Sequence, residues 1–201
     1  MFPMPTRGPY AKGVAKRAAI LEAALEIISQ NGYSGATVKE LADAVGLSQN
    51  GVLHYFGSKD ELFVEILRRR DELDAAERIA DAGSDPDPAA AVVSLVAHNV
   101  DVPGFVQLYA RLSNEAAEAS HVAHPYFRDR YEAIRRDGRF FFEQLQRDGK
   151  VRDDLDPAEL AAQLFALIDG LQTQWIYDPD AVDMPRLVAS FFRTIAPLAH
   201  S

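Results

Sequence analysis

The chain has 201 residues, 48% of them hydrophobic and 25% charged, with a formal net charge of −9 and no cysteine. That length permits one full core or two small ones, and the missing cysteines exclude both a disulfide framework and a thiolate metal site. No stretch approaches the ~18–20 apolar residues of a membrane span and the first 16 residues lack the apolar segment of a signal peptide, so a soluble, cytoplasmic protein with no membrane partner is expected.

A first helix is expected over residues 14–30, with Ile20, Ala24, Ile27 and Ile28 inward and Asn31 and Gly32 as its stop. In the next stretch Val38, Leu41, Ala42 and Val45 recur at i, i+3, i+4 and i+7, which is one apolar helical face. Gly46 follows directly, where a helix that must stop and turn needs a residue tolerant of φ > 0. Ser48 can cap a third helix, whose Val52, Leu53 and Phe56 pack back on the second across small Ala42. Thr37 with Glu40 and Ser58 with Glu61 both have capping-box spacing, which fixes helix starts on either side. Gln49, Asn50, Gly51 and His54 are left pointing outward. A short helix held by its back with hydrogen-bonding tips in front is how a helix-turn-helix presents itself to the major groove. The plainer alternative is a corner of a helical bundle whose exposed face is merely solvated.

A fourth helix from Ser58 can extend to residue 82, since Leu62, Phe63, Ile66, Leu67, Leu73, Ala76 and Ile79 keep a helical rhythm. Such a helix spans roughly 36 Å, enough to join two domains rigidly. Arg68, Arg69 and Arg70 on it read as a solvated or salt-bridged surface, several turns from any groove. Residues 83–88, dense in Gly, Pro, Ser and Asp, form the clearest linker. Beyond it helices are expected over 89–100, 104–119, 126–148, 156–177 and 185–196, with a break at 121–125. Asp156, Pro157 and Glu159 together make a strong helix start. With no alternating strand pattern, the chain reads as all-α. Charge is segregated along it: residues 1–59 carry six Lys or Arg against four Asp or Glu, a net +2, which leaves −11 for the rest. A mildly basic head can lie against phosphates while an acidic body stays clear of the duplex.

The run over residues 17–67 resembles the DNA-binding domain of TetR-type transcriptional repressors. The resemblance rests on Ile20 to Ala24, Gly32 and Tyr33, Ala36 to Val38, Leu41 and Ala42, Val45 to Ser48, and Phe56 to Phe63. These cover about a quarter of the chain as an ordered series. One departure is Leu53, where the family often has a tyrosine three residues before the phenylalanine of its Phe-x-x-Lys pattern; either His54 and Tyr55 take over that backbone contact or it is absent. The resemblance implies an N-terminal helix-turn-helix domain, residues 1–60, joined by a long helix to a helical ligand-binding and dimerisation domain, residues 61–201.

In that second domain the last two helices are apolar on more than one face. Leu164, Ile168 and Leu171 on one, and Leu187, Phe191 and Ile195 on the other, are candidates for a two-fold four-helix dimer interface, the alternative being burial in a larger internal core. Two recognition helices ~34–36 Å apart would read a palindrome, and the resemblance implies the same dimer. It also implies a small-molecule cavity among the aromatic-rich middle helices, for which Leu108, Tyr109, Leu112, Gln172 and Trp175 are the preferred lining residues. The ligand's identity is open at this point.

On this reading Gln49, Asn50 and Gly51 face base edges, Asn50 or Gln49 suiting adenine's acceptor and donor pair. Thr37, Lys39, Ser48, His54, Tyr55 and Lys59 complete the DNA-binding set, mostly through phosphates. His98, His121, His124, Glu115 and Glu118 could ligate a metal, but none forms a tight helical pair, so no metal and no cofactor are expected. No phosphate loop, nucleophile elbow or paired-carboxylate motif suggests an enzyme. The reading is a homodimeric repressor released from its operator by a small ligand. An activator built from the same parts remains open, and so does a helical carrier or enzyme that has lost DNA binding.

Overall fold

The computed structural model describes residues 9–81 and 87–197, and the side chains of 12–76 and 87–197 within them. Among the described residues the chain forms nine helices and no strand. They are α1 (Pro9–Gly35), α2 (Val38–Ala44), α3 (Gln49–Phe56), α4 (Lys59–Asp81), α5 (Pro88–Asp101), α6 (Pro103–Glu115), α7 (His124–Arg147), α8 (Pro157–Tyr177) and α9 (Met184–Ile195). None of the described helices is by itself long and apolar enough to cross a membrane.

Helix α1 starts before the expected residue 14 and passes its expected stop. Gly32 nonetheless leaves helical geometry, at φ 72° and ψ 175°, so the stop is a kink rather than an end. The break expected at 121–125 ends earlier than the sequence suggested, because Pro125 sits in the first turn of α7, where its missing N–H costs nothing. Helix α6 conversely ends at Glu115, and the chain turns through 116–123. Most of the expected linker at 83–88, and the expected end of the fourth helix at residue 82, lie outside the described residues.

Two apolar cores hold the molecule. The first gathers Ile20, Ala24, Ile28, Leu41, Val52, Phe56, Leu62 and Ile66 from α1–α4, and continues without a gap into Phe105, Leu108, Leu112, Tyr126 and Phe127 of α6 and α7. The second, around Phe142, Leu145, Leu160, Leu164, Trp175, Met184 and Val188, lies wholly within α5–α9. The apolar packing therefore does not divide at residue 60. At the seam Gly104 lets α6 ride directly on α1: a Cβ there would stand 2.5 Å from the Ile28 carbonyl oxygen and 2.8 Å from Gly32 Cα.

Candidate DNA-reading helix and ligand cavity

The start of α2 is fixed by a complete capping box. Thr37 Oγ1 accepts from the Glu40 N–H at 3.2 Å, and the Glu40 carboxylate accepts the Thr37 N–H at 3.0 Å. That backbone bond, then the Thr37 hydroxyl, holds the Glu40 carboxyl below its usual range. Gly46 turns the chain at φ 65°, and Ser48 Oγ accepts from the Gly51 N–H at 3.0 Å to start α3. Behind α3, Val52 and Phe56 are buried against α1 and α2. Ser58 makes only half of the expected second box: its hydroxyl accepts from the Glu61 N–H at 3.1 Å, with no return bond to Ser58.

Thr37, Lys39, Ser48, Gln49, Asn50, His54 and Lys59 are exposed, while Gly51 and Tyr55 are half-buried. Tyr55 packs partly against the first core, and a Cβ on Gly51 would come within 3.2 Å of Ser48 Oγ, so this glycine serves the turn of α3 as well as its outer face. Two basic residues of the head act internally. Lys16 Nζ donates to the Val45 carbonyl at 2.6 Å, closing the end of α2, and Arg17 pairs with Glu65 at 2.9 Å while lying over the Phe56 ring. Neither contact is readable from spacing, since each joins residues far apart in sequence.

A cavity of about 530 Å³ opens between α4 and α7 and reaches α5, α6 and α8. Tyr109 and Gln172 line it. Leu108, Leu112 and Trp175 do not, and their expected role as lining residues is corrected: the leucines fill the first core and the tryptophan the second, because each faces away from the cavity on its helix. The sequence reading missed the charged lining altogether. Arg70 and Asp74 of α4 form an ion pair at 3.6 Å, and Arg70 also donates to Asn99 Oδ1 at 2.8 Å. Arg130 of α7 pairs with Asp71 of α4, which further accepts from the Tyr126 hydroxyl at 3.0 Å. The arginine run therefore splits: Arg69 is bound at the surface to Glu22 and Glu72, whereas Arg70 turns inward over the Phe105 ring and is not a surface residue as expected.

On the far wall Tyr109 donates to Tyr131 at 3.2 Å, and Tyr131 donates to Asp169 at 2.8 Å. Burial raises the carboxyl of Asp169, tempered by the Tyr131 hydroxyl and by Arg130 from further off. A second cavity of about 260 Å³ shares Tyr109, Asp169 and Gln172 with the first, so these residues are the partition between the two. One signal could have located the wall: beyond its first turn, Asp169 is the lone charge of α8, set amid leucines and isoleucines.

The residues expected at a dimer interface are divided. Leu164, Leu171 and Ile195 are buried in the chain's own second core, and Ile168 lines the large cavity. Leu187 and Phe191 remain half-buried. The two-sided apolarity of α8 is thus accounted for in large part by α7 on one side and the cavity on another.

Two family models match the chain: bacterial regulatory proteins of the tetR family over residues 20–66, and the C-terminal domain of BetI-type transcriptional repressors over residues 88–200. The transcriptional repressor AcnR of Corynebacterium efficiens is 40% identical over 72 residues, which is 36% of this chain and only 38% of that protein. AcnR of Corynebacterium diphtheriae is 29% identical over 178 residues, covering 86% of this chain and 87% of the relative. Among solved structures, a transcriptional regulator from Saccharomonospora viridis in complex with choline superposes with a TM-score of 0.71 at 25% identity, covering 92% of this chain and all of that one.

Proposed function

The chain belongs to the TetR family of DNA-binding transcriptional regulators, and on that premise we propose that it is a cytoplasmic, homodimeric repressor released from a palindromic operator by a small molecule. It is a regulator rather than an enzyme. The observation that carries this reading is α3: its back is locked into the first core by Val52 and Phe56, its start is capped by Ser48, and Gln49, Asn50 and His54 stand free at its front. Gln49, Asn50 and Gly51 approach base edges, and an Asn or Gln in the major groove pairs with adenine through two hydrogen bonds. Thr37, Lys39, Ser48, Tyr55 and Lys59 hold the backbone, helped by the free N–H groups at the starts of α2 and α3.

Residues 1–60 act as the reading head and 61–201 as the sensing and pairing body. The half-buried Leu187 and Phe191 of α9, with Leu164, Ile168, Leu171 and Ile195 supporting them from behind, are proposed to meet their two-fold mates in a four-helix interface. The large cavity is the effector site, a reading supported by the choline held by the Saccharomonospora protein. Helix α4 transmits the signal. It enters the cavity through Arg70, Asp71 and Asp74, and its first turn packs beside α3. A ligand that binds one setting of α4 better than the other shifts the distance between the two heads, and only such unequal affinity can do so.

Binding the purified protein to fragments of its source genome at several salt concentrations tests the reading. A palindrome should be enriched well above nonspecific DNA. Asn50→Ala should cut sequence preference by about 1–3 kcal/mol while leaving the thermal melt unchanged. A helical carrier without DNA binding would enrich nothing and would ignore the substitution.

A further inference from the structure

The charges around the large cavity are almost fully paired. Arg68 faces Glu65, Arg70 faces Asp74 and Arg130 faces Asp71; at the rim Asp129 and Asp137 face Arg128 and Arg136. One lining carboxylate is left over. Asp169 has no cation within ion-pairing distance among the described residues: the Tyr131 hydroxyl donates to it, and Arg130 acts on it only from further off. One helical turn further on, Gln172 is 8% exposed, yet its amide makes no hydrogen bond with any described residue. A desolvated carboxylate that no cation meets directly is costly, and the Gln172 amide, open to the cavity space, is left available to a bound group. Both stand in the wall common to the two cavities, beside the hydroxyls of Tyr109 and Tyr131.

We propose that this wall is the seat of a primary ammonium group, and that the effector is an organic amine whose apolar body lies in the large cavity against Val106, Phe165 and Ile168. This rests on reading that cavity as the effector site. The three N–H donors of a primary ammonium match the Asp169 carboxylate, the Gln172 amide oxygen and a tyrosine oxygen. A quaternary ammonium fits less well. It carries no donors, and the ring faces it would need at Phe105, Tyr109 and Tyr126 already carry Arg70, Arg130 and Arg68 at 4.5, 5.3 and 5.1 Å. A carboxylate ligand would have to displace Asp71 or Asp74 from its arginine. Arg130 Nε, buried and without an acceptor, calls for a neutral oxygen, since the guanidinium charge is already met by Asp71.

Calorimetry on the full chain with four probes of one shape tests the assignment: 4-phenylbutylamine, its trimethylated form, 4-phenylbutan-1-ol and 5-phenylpentanoate. The amine should bind at least about tenfold tighter than each of the others, the difference a charged hydrogen-bonded contact makes. Asp169→Asn, which keeps the shape and the Tyr131 bond, should erase that preference and leave the alcohol's affinity unchanged. Ala133→Trp, which fills the large cavity, should abolish binding of every probe. Should the asparagine variant fail to fold, the ranking of the probes on the unaltered chain still decides. Tightest binding by the alcohol, the carboxylate or the quaternary ammonium overturns the proposal, as does a preference that survives Asp169→Asn, binding that survives Ala133→Trp, or no binding at all. Operator release is read separately on the same probes. If another probe binds and releases DNA, the amine class falls and the effector cavity stands. If probes fill the cavity and DNA stays bound, the effector reading falls while the affinity ranking still judges the ammonium seat.

Discussion

The reading head and the cavity are made in opposite ways. Around α3 the stabilising contacts are mostly short in sequence: Thr37 to Glu40, Ser48 to Gly51, and Ser58 to Glu61, each spanning three residues. Around the cavity they are long, such as Arg130 to Asp71 across 59 positions and Tyr131 to Asp169 across 38. The head carries its polar atoms outward to meet another molecule, whereas the cavity carries charges inward and must neutralise them. A site of the first kind keeps its shape when its neighbours move. One of the second kind depends on how five helices sit together, which suits it to register a ligand.

The largest test of that contrast is in the second core, which the head does not share. Phe142 is wholly buried among Leu145, Leu164 and Val188, and Phe142→Ala should cost about 4 kcal/mol by cavity creation. Thermal unfolding followed by circular dichroism should register the loss, and probe binding in the cavity should weaken with it. The first core, which holds α3, is separate from Phe142. Operator affinity of the folded protein should therefore change far less than ligand affinity, and equal losses in both would mean the two regions are not distinct.

Next comes the seam where the regions meet. Gly104→Ala would drive a methyl group into the Ile28 carbonyl and the Gly32 backbone, atoms that cannot swing aside. A loss of about 3 kcal/mol is expected, typical of forced overpacking. Unlike the core substitution, it should disturb ligand response and operator binding together, because α6 carries the cavity wall at Tyr109 and rests on α1 of the head. A variant that melts normally and still releases DNA on ligand would show that this contact does not couple the two ends.

These contrasts also explain what could be seen in the sequence. The caps at Thr37, Ser48 and Asp156, the turn at Gly46 and the apolar face of α2 are encoded within a few residues, so the helix order and the head were legible. The cavity wall was not. A leucine at helical spacing looks the same whether it meets a core or a cavity, which is why Leu108 and Leu112 looked as suitable as Tyr109. Arg70 resembled its surface neighbour Arg69, because only the approach of α5 and α6 turns one of them inward. Two-sided apolarity in α8 pointed to a partner chain, where packing within the chain already accounts for Leu164 and Leu171.

A smaller effect is expected at the local end. Thr37→Ala removes the hydroxyl that satisfies the Glu40 N–H and helps hold its carboxylate, at a cost of about 1 kcal/mol. Because the cap fixes where α2 starts, and α2 backs α3, operator affinity should fall with it. Ligand affinity should not move, since no residue of α2 lines the cavity. Serine at the same position should restore both stability and affinity, which separates the cap from any loss due to the missing methyl.

The smallest effect is a change of slope. Burial raises the Asp169 carboxyl in the folded chain, so between the unfolded and folded values the native state binds more protons than the unfolded one. Stability contributed by the protonated acid is therefore present below the unfolded value, and it is lost as pH climbs through the folded one. Asp169→Asn cannot ionise, and its melting temperature should lack that decline, converging on the unaltered chain at acid pH and exceeding it toward neutrality. An added amine should act in the opposite sense on the unaltered chain. By pairing with the ionised carboxylate it lowers the folded value, so the stabilisation it confers should grow as the pH rises. Parallel curves for the two chains would mean that Asp169 is already compensated within the fold, and that the wall between the cavities holds no unmet charge.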